Sequence, residues 1–356
     1  MAPEVSEKNQ SNIVGKFVDP MEDADWDQQV LTHSKATVFH SAAWARVLSS
    51  TYGHRPKYFR FTRNGGLVAL VPLMEIRNLL RMPRGVALPF SDFCDSLVFE
   101  QACSNELFSI LRDFAERRSW SYMELRGEGC VPASATPSVS FYSHRLDLRG
   151  GYESICKRFK PSVRRALRKV ERSELTCSVS DSEEAMRIFF KLHVITRRRH
   201  GLPPQSIAFF LNIHREIIAS GMGSIVIVRV GRRPIAAMVF FHWGNVAIYK
   251  FGASDKRYQR YRPNNFAMSE GIKLLSETGL ETLHFGRSSL ANEGLRRFKL
   301  TWGGVEGKLD YYRYYPDGQN WGVGRDRTEG FHTEVFRRLP PVMNRIAGRI
   351  IYSHLD

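Results

Sequence analysis

Residues 224–241 read Ser-Ile-Val-Ile-Val-Arg-Val-Gly-Arg-Arg-Pro-Ile-Ala-Ala-Met-Val-Phe-Phe: an apolar run, a short turn that contains glycine, and a second apolar run. Two apolar runs joined in this way predict a β-hairpin. Residues 58–74 follow the same plan around an Asn-Gly-Gly turn at 64–66. Alternating strand and helix patterns follow each hairpin, so the repeat predicts two copies of one α/β domain.

The chain has 356 residues, a length that fits two domains of ordinary size. We expect a flexible leader over residues 1–20, an N-terminal domain over 21–150, a C-terminal domain over 151–320 and a basic amphipathic tail over 321–356. A basic amphipathic helix is typical of membrane-surface or partner binding, and the alternative is that its apolar face packs on the core.

The composition of the chain excludes several classes of protein. Lys and Arg number 52 against 36 Asp and Glu, a net charge of +16, which predicts attraction to nucleic acid, nucleotide phosphates or an anionic membrane face. The sequence contains neither an 18-residue apolar stretch nor an apolar N-terminal segment, so we expect a cytoplasmic protein. The five cysteines include no CxxC pair, which argues against a disulfide framework or a zinc site.

Local patterns also predict helix ends. Ser41 is a good N-cap and Gly53 a good terminator for a helix over residues 41–52. Asp181 and Glu184 are typical of a capping box at the start of a long helix.

Several short motifs occur in a characteristic order along the chain. They are Phe39-His-Ser-Ala-Ala-Trp44, Leu88-Pro-Phe-Ser-Asp92, Arg197-Arg-Arg-His-Gly-Leu-Pro-Pro204, Tyr249-Lys-Phe-Gly-Ala-Ser-Asp255, Arg262-Pro-Asn-Asn265, Phe285-Gly-Arg287, Asn292-Glu-Gly-Leu295 and Phe298-Lys-Leu-Thr-Trp-Gly303. With these motifs the chain resembles the FemAB-like aminoacyltransferases, in the subgroup described as BioF2-like acetyltransferase domains. The resemblance covers residues 35–315.

The resemblance implies an α/β fold of two tandem GNAT-like domains, each a mixed, mostly antiparallel sheet flanked by helices. It also implies an acyltransferase that moves an acyl or aminoacyl group from an activated donor to an amine on a cell-envelope or exopolysaccharide precursor. The donor, an aminoacyl-tRNA or an acyl-CoA, is a co-substrate, so no resident cofactor is expected. The acceptor precursor is expected to be nucleotide- or lipid-linked, with its cleft between the domains.

The resemblance also assigns candidate residues. Lys299 matches the family position that meets the acyl donor, where its ammonium is expected to pair with donor phosphates or the developing oxyanion, and Phe298 is expected to pack on an adenine ring. Arg164 matches a position near the diphosphate of the acceptor. On a helix, Arg164 and Arg168 share one face, and such stacked like charges favour an anionic partner.

Four more candidates lie at expected strand ends or in the loops and helix starts after them. Tyr249 is expected to hydrogen-bond the acceptor, and Arg287 to hold a phosphate or carboxylate. Asp255 is expected to orient Lys299 or accept the proton of the attacking amine. Asn265, after Pro263, is either a helix cap or an anion ligand; each of the other three is alternatively buried polar support.

Two other functions remain open. The first is an acetyl-CoA-dependent N-acetyltransferase acting on an amino sugar. Residues 260–265, Arg-Tyr-Arg-Pro-Asn-Asn, argue against it, because they lack the glycines that let a backbone touch a pyrophosphate. The second is a non-catalytic scaffold that binds polyanions during polysaccharide export.

Overall fold

The structure is a computed structural model, and it describes residues 13–78, 81–100, 104–323, 336 and 341–352. Its α-helices are α1 (Trp26–Leu31), α2 (Ala42–Tyr52), α3 (Ser104–Arg117), α4 (Gly151–Arg158), α5 (Pro161–Glu171), α6 (Glu183–Arg199), α7 (Ile207–Ile213), α8 (Pro263–Ser276), α9 (Glu293–Leu300) and α10 (Pro341–Tyr352). Its strands are β1 (Ile13–Val18), β2 (Arg55–Pro56), β3 (Tyr58–Arg63), β4 (Gly66–Val71), β5 (Met74–Asn78), β6 (Arg81–Val86), β7 (Leu97–Val98), β8 (Met123–Arg126), β9 (Val139–Asp147), β10 (Leu175–Ser180), β11 (Gly223–Val230), β12 (Arg233–Trp243), β13 (Val246–Ser254), β14 (Thr282–Ser289), β15 (Val305–Tyr315) and β16 (Asn320–Gly322).

The strands form one long sheet and one small sheet. The long sheet has the order β10-β11-β12-β13-β14-β9-β15-β8-β6-β5-β2, with β16 pairing β15, and the small sheet has the order β1-β3-β4-β7. Neighbouring strands are antiparallel except for β13 with β14 and β6 with β8. Each half of the chain therefore has one parallel pair, with α8 or α3 between its two strands in sequence, and both predicted hairpins are confirmed.

The helix ends follow their capping residues. The Ser41 side chain accepts a hydrogen bond from the amide of Trp44, and α2 ends at Gly53 with φ 70°, as predicted. The expected capping box at Asp181 is wrong by one residue, because the hydroxyl of Ser182 accepts from the amide of Ala185.

The largest hydrophobic cluster is shared by the two halves. Trp44 of α2 packs edge-to-face on Phe209 of α7 and tilted against Phe241 of β12, with ring centroids 6.2 and 6.0 Å away. All three side chains are buried. Because α7 and β12 belong to the C-terminal half, this packing fixes one half against the other.

Two expected boundaries need correction. Residues 13–18 are not a flexible leader, because they form β1, which pairs along its length with β3 and buries Ile13; residues 1–12 lie outside the described residues. The sheet also crosses the boundary expected at residue 150. Strand β9 lies between β14 and β15, and β15 in turn pairs with β8.

Strands β13 and β14 part after only three paired residues. Their pairing runs from Val246 with Thr282 to Ile248 with His284. One residue further along, the register between β12 and β13 shifts and leaves Lys250 as the extra residue of a β-bulge. The bulge turns the Lys250 side chain toward the N-terminal half, beside the point where the strands diverge.

Candidate active site

A strained segment of the N-terminal half, residues 88–92, lies against this divergence. Leu88 and Phe90 have φ of 50° and 61°, in the left-handed region that non-glycine residues avoid. The Arg126 guanidinium at the end of β8 donates to the carbonyls of Leu88 and Ser91, at 2.9 and 2.8 Å. These bonds hold the segment in its strained conformation.

The other half of the chain supplies further donors to the same segment. The Lys250 ammonium donates to the Phe90 carbonyl at 2.6 Å and to the Asp92 carboxylate at 2.8 Å. The Tyr311 hydroxyl, on β15, donates to the Asp92 carbonyl at 2.6 Å. Asp92 is thus positioned by contacts with two strands that follow it by more than 150 residues in the sequence.

The Asp92 carboxylate lies between β13 and β14. On one side it pairs with Lys250 of β13, and on the other it approaches Gly286 of β14 so closely that a Cβ there would lie 3.2 Å from its carboxyl carbon. Gly286 has φ +70°, which also favours glycine. The carboxylate therefore occupies the gap that the diverging strands open.

Lys299 approaches the same gap from α9. Its side chain is buried, with the residue 2% exposed, and its ammonium donates to the carbonyls of Gly286 and Arg287 at 2.8 and 2.9 Å. Burial lowers the pKa of Lys299 to about 8; the charge of Asp92 opposes this shift, and those of Lys250 and Arg287 add to it. Lys299 is therefore still mainly cationic at neutral pH.

The Arg287 guanidinium lies over the rings of Phe141 and Tyr311, 4.5 and 5.1 Å from their centroids. In the part of the chain that the structure describes, Arg287 forms no ion pair with a carboxylate. Three cations, from Lys250, Arg287 and Lys299, thus surround the single carboxylate of Asp92.

The charges of this cluster shift the pKa values of its members. Burial alone would raise the pKa of Asp92, but the charge and hydrogen bond of Lys250, with the charges of Arg287 and Lys299, outweigh burial and hold that pKa below its ordinary value. Burial lowers the pKa of Lys250, and Asp92 offsets only part of that effect. The cluster carries an excess of positive charge, which favours an anion or a developing negative charge beside it.

A cavity of about 760 Å³ opens between the two halves on the same side of the sheet as Asp92. His284, the last residue of β14 that pairs with β13, lines it and packs on Phe93, with ring centroids 4.0 Å apart. Burial, followed by the charge of Arg145, lowers the pKa of His284 to about 3, so its imidazole is neutral. The cavity walls also include Arg145 and Glu128, both exposed, so the cavity offers charges of both signs.

The predicted residues do not all converge on the cluster. Arg287 and Lys299 belong to it, and Phe298, half-buried beside Lys299, packs on Trp302 with ring centroids 6.0 Å apart. Tyr249 packs against Phe240 in the core on the opposite face of the sheet, and burial raises the pKa of its hydroxyl.

Asp255 and Asn265 differ most from their expected places. Asp255 accepts hydrogen bonds from Arg257, at 2.6 Å for the shortest, and these lower the pKa of its carboxyl. The carboxylate whose charge acts on Lys299 is Asp92 instead. Asn265 is the third residue of α8 and not its cap, because Arg262, with φ 60°, precedes the helix.

Arg164 lies on the exposed face of α5, away from the buried cluster. Arg165, Arg168 and Lys169 are exposed with it, and none of the four forms an ion pair among the described residues. Lys169 also lines a cavity of about 430 Å³, together with Tyr261, at the C-terminal end of the helix. The predicted basic helix face is present as a continuous surface.

The described part of the tail, α10, packs on the C-terminal half. Gly348 lies against the backbone of Pro204, and the Tyr352 hydroxyl accepts from Arg197 and donates to the Pro203 carbonyl. Met343 and Ile346 on the other side are exposed. Three apolar residues of the expected amphipathic tail, Phe331, Val335 and Leu339, lie outside the described residues. None of the described helices is long and apolar enough to cross a membrane.

Four residues of the candidate site were not predicted from the sequence: Asp92, Lys250, Tyr311 and Arg126. Two of them lie within the motifs quoted above, Leu88–Asp92 and Tyr249–Asp255. The available signal was the charge of Lys250 between Tyr249 and Phe251 in an otherwise apolar strand, because a buried lysine needs a partner.

Comparison with known proteins agrees with this architecture. Residues 157–301 match the family model described as the acetyltransferase (GNAT) domain. No curated protein matches the chain in sequence. The fold is similar to that of FemX, with a TM-score of 0.66 and 14% identity over 83% of this chain and 96% of that one. It is also similar to L-PGS from Bacillus licheniformis (TM-score 0.54, 13% identity, 92% and 97% covered) and to a tandem GNAT protein from the clavulanic acid biosynthesis pathway (0.53, 8%, 85% and 98%). The chain therefore has a tandem GNAT-like fold similar to that of FemX, and its residues 157–301 match the acetyltransferase (GNAT) domain family.

Proposed function

We propose that the protein transfers an acyl or aminoacyl group from an activated donor to an amine on a cell-envelope or exopolysaccharide precursor. The observation that carries this proposal is the cluster of Lys250, Arg287 and Lys299 around one carboxylate at the divergence of β13 and β14. Acyl transfer to an amine passes through a tetrahedral oxyanion, and fixed cations beside that oxygen are usually the largest catalytic contribution.

The chemistry requires no covalent enzyme intermediate. The amine nitrogen forms a bond to the donor carbonyl carbon, the carbonyl oxygen takes the negative charge, and the bond to the leaving group then breaks. The proton lost by the amine ends on the leaving oxygen or sulfur. Arg287, which has no carboxylate partner in the described residues, is the cation best placed to meet the oxyanion, while Lys299 holds the backbone carbonyls of Gly286 and Arg287.

Two surfaces supply binding sites for the acceptor. The cavity between the halves is lined by His284 of β14, two residues before Gly286, and Arg145 and Glu128 in its wall offer charges to a polar precursor. The exposed face of α5, with Arg164 and Arg168, holds phosphates of a nucleotide- or lipid-linked acceptor. One structural neighbour is named a putative lysylphosphatidylglycerol synthetase, a name that combines an aminoacyl group with a lipid. The name supports an aminoacyl donor and a lipid-linked acceptor.

The direct test is incubation with a pool of charged tRNA and candidate precursors, followed by mass spectrometry of the precursors. A mass gain equal to one amino-acid residue identifies the reaction and the donor together. An acetyl gain in the presence of acetyl-CoA supports the N-acetyltransferase alternative instead.

A substitution of Lys299 tests whether this residue contributes to catalysis. Lys299→Met is expected to reduce kcat by about a hundredfold, since it removes one cation of the cluster and releases the backbone that positions Arg287 beside the oxyanion. The matched control is Arg297→Ala on the exposed face of the same helix. Equal rates for Lys299→Met and the wild type would remove the catalytic role of this position.

The exposed cations of α5, which form no ion pair with any residue that the structure describes, favour the scaffold as a second candidate. For a scaffold, Lys299→Met leaves the cellular phenotype intact, while replacing the arginines at 164, 165 and 168 abolishes polyanion binding and the phenotype. The opposite pattern eliminates the scaffold.

A further inference from the structure

We infer, building on the proposed acyl transfer, that the Asp92–Lys250 pair determines donor specificity: it closes the gap between β13 and β14 to the thioester arm of coenzyme A. The pair is assembled from both halves of the chain, with Asp92 from the segment 88–92 and Lys250 from the β-bulge of β13.

The topology defines the path that such an arm would need. The diphosphate of a coenzyme A ester would lie at the start of α8, where the helix dipole favours an anion, although Pro263 has no N–H and the Asn265 amide already donates to the Arg262 carbonyl. From there the arm must follow β13 back toward Lys250, about 13 Å for the four residues from Ser254. Along this stretch β13 does not pair with β14, so the arm would run along the unpaired edge of β13.

The end of this path is already filled. The Asp92 carboxylate lies between Lys250 and Gly286, and the Lys250 side chain is only 6% exposed. On β14, the carbonyls of Gly286 and Arg287 already accept hydrogen bonds from Lys299. The space and the edge carbonyls that a thioester arm would use are therefore taken by side chains of the protein.

The start of the path lacks a flexible diphosphate loop but still carries cations. Residues 256–261 form a 3₁₀ helix whose N-cap, Asp255, is paired with Arg257, while Lys256 and Arg260 are exposed. Arg262 adopts φ 60° without glycine, and its side chain makes no cap hydrogen bond to α8. This corner lacks the flexible backbone that would wrap a pyrophosphate.

Isothermal titration with acetyl-CoA tests the inference without any assay of transfer. The proteins to compare are the wild type, the double variant Asp92→Ala/Lys250→Ala that opens the gap, and Asp92→Asn, which keeps its volume. We expect no heat from the wild type or Asp92→Asn up to about 1 mM ligand, and binding at least tenfold tighter from the double variant. If circular dichroism reports that the double variant is unfolded, Lys250→Ala alone takes its place.

Two results overturn the inference. Micromolar binding of acetyl-CoA by the wild type does so, and leaves the proposed acyl transfer standing with a thioester donor. Equal lack of binding by the wild type and the opened variant also does so, because the barrier then lies elsewhere. Failure of the proposed function has a separate signature, the absence of a modified precursor with every donor in the mass-spectrometric assay.

Discussion

The Lys299 ammonium is held in a place where burial opposes its charge. Two backbone carbonyls and the charge of Asp92 stabilise the cation, whereas burial and the charges of Lys250 and Arg287 destabilise it. A pKa of about 8 is the result. Removing water from a cation costs free energy, but it also strengthens the field that the cation exerts on a nearby oxyanion.

This pKa predicts how stability changes with pH. In the unfolded chain the pKa of Lys299 returns to about 10.5, so between pH 8 and 10.5 the unfolded state binds more protons and stability rises with pH. Relative to Lys299→Met, the free energy of unfolding of the wild type is expected to grow over this window, by at most about 3 kcal/mol. Urea unfolding at several pH values measures the difference.

The control for this experiment is Lys273→Met, an exposed lysine on α8. Its free energy of unfolding is expected to follow that of the wild type at every pH. A constant difference between the wild type and Lys299→Met from pH 8 to 10.5 would mean that the pKa of Lys299 is not lowered.

Gly286 is the residue on which the position of Asp92 depends. Gly286→Ala is expected to destabilise the protein by about 1–2 kcal/mol through its positive φ, and to reduce transfer at least tenfold because the new Cβ displaces the Asp92 carboxylate. Gly279→Ala is the matched control: φ there is +78°, but nothing lies within 4 Å of its Cβ. Similar losses of activity in both variants would contradict a specific role for the contact with Asp92.

Among the elements, α5 has different residues for packing and for the expected binding of the acceptor. Val163, Ala166 and Val170 bury one face, while Arg164 and Arg168 lie on the other and repel each other. Arg164→Ala/Arg168→Ala is therefore expected to leave the free energy of unfolding within about 0.5 kcal/mol of the wild type. It is expected to raise the KM for a phosphorylated acceptor severalfold and to weaken the salt dependence of binding.

The control for α5 is Arg187→Ala on α6, an exposed arginine that pairs with Glu183. Its KM is expected to match that of the wild type. If the double variant of α5 bound the acceptor with unchanged KM, the basic face of this helix would not be part of the acceptor site.

An element could be predicted from the sequence where the residues that determine it lie close together in the chain. The helix α2 could be predicted because Ser41 and Gly53 cap it within a dozen residues. In contrast, β9 mixes Ser, His and Arg with its apolar residues, and it is a strand because β14 and β15 pair with it from more than 130 residues away.

The site was predictable in part for the same reason. Arg287 and Lys299 lie in motifs that carry the family resemblance, and both reach the cluster. Lys250 and Asp92 are separated by 158 residues, so only the assembled sheet brings their side chains together. A single sequence contains no local signal for such a pair.

At the scale of the whole molecule, the continuous sheet makes the two halves dependent on each other. Residues 157–301 match a domain family, which by itself would suggest an autonomous unit. Yet β14, inside that unit, pairs with β9, and β15 joins β9 to β8 of the N-terminal half. Removing β9 would leave unpaired edges on both β14 and β15 in the middle of the sheet.

Two fragments test this dependence. A fragment of residues 151–356 lacks β9 and is expected to aggregate or to melt without cooperativity, because β14 and β15 each lose the strand that pairs with them. A fragment of residues 138–356 keeps β9 and is expected to show a cooperative melt by circular dichroism, at a lower temperature than the full chain, because Trp44 no longer covers Phe209 and Phe241. Equal cooperative melts for both fragments would show that β9 is dispensable and that the C-terminal half folds as its family match alone suggests.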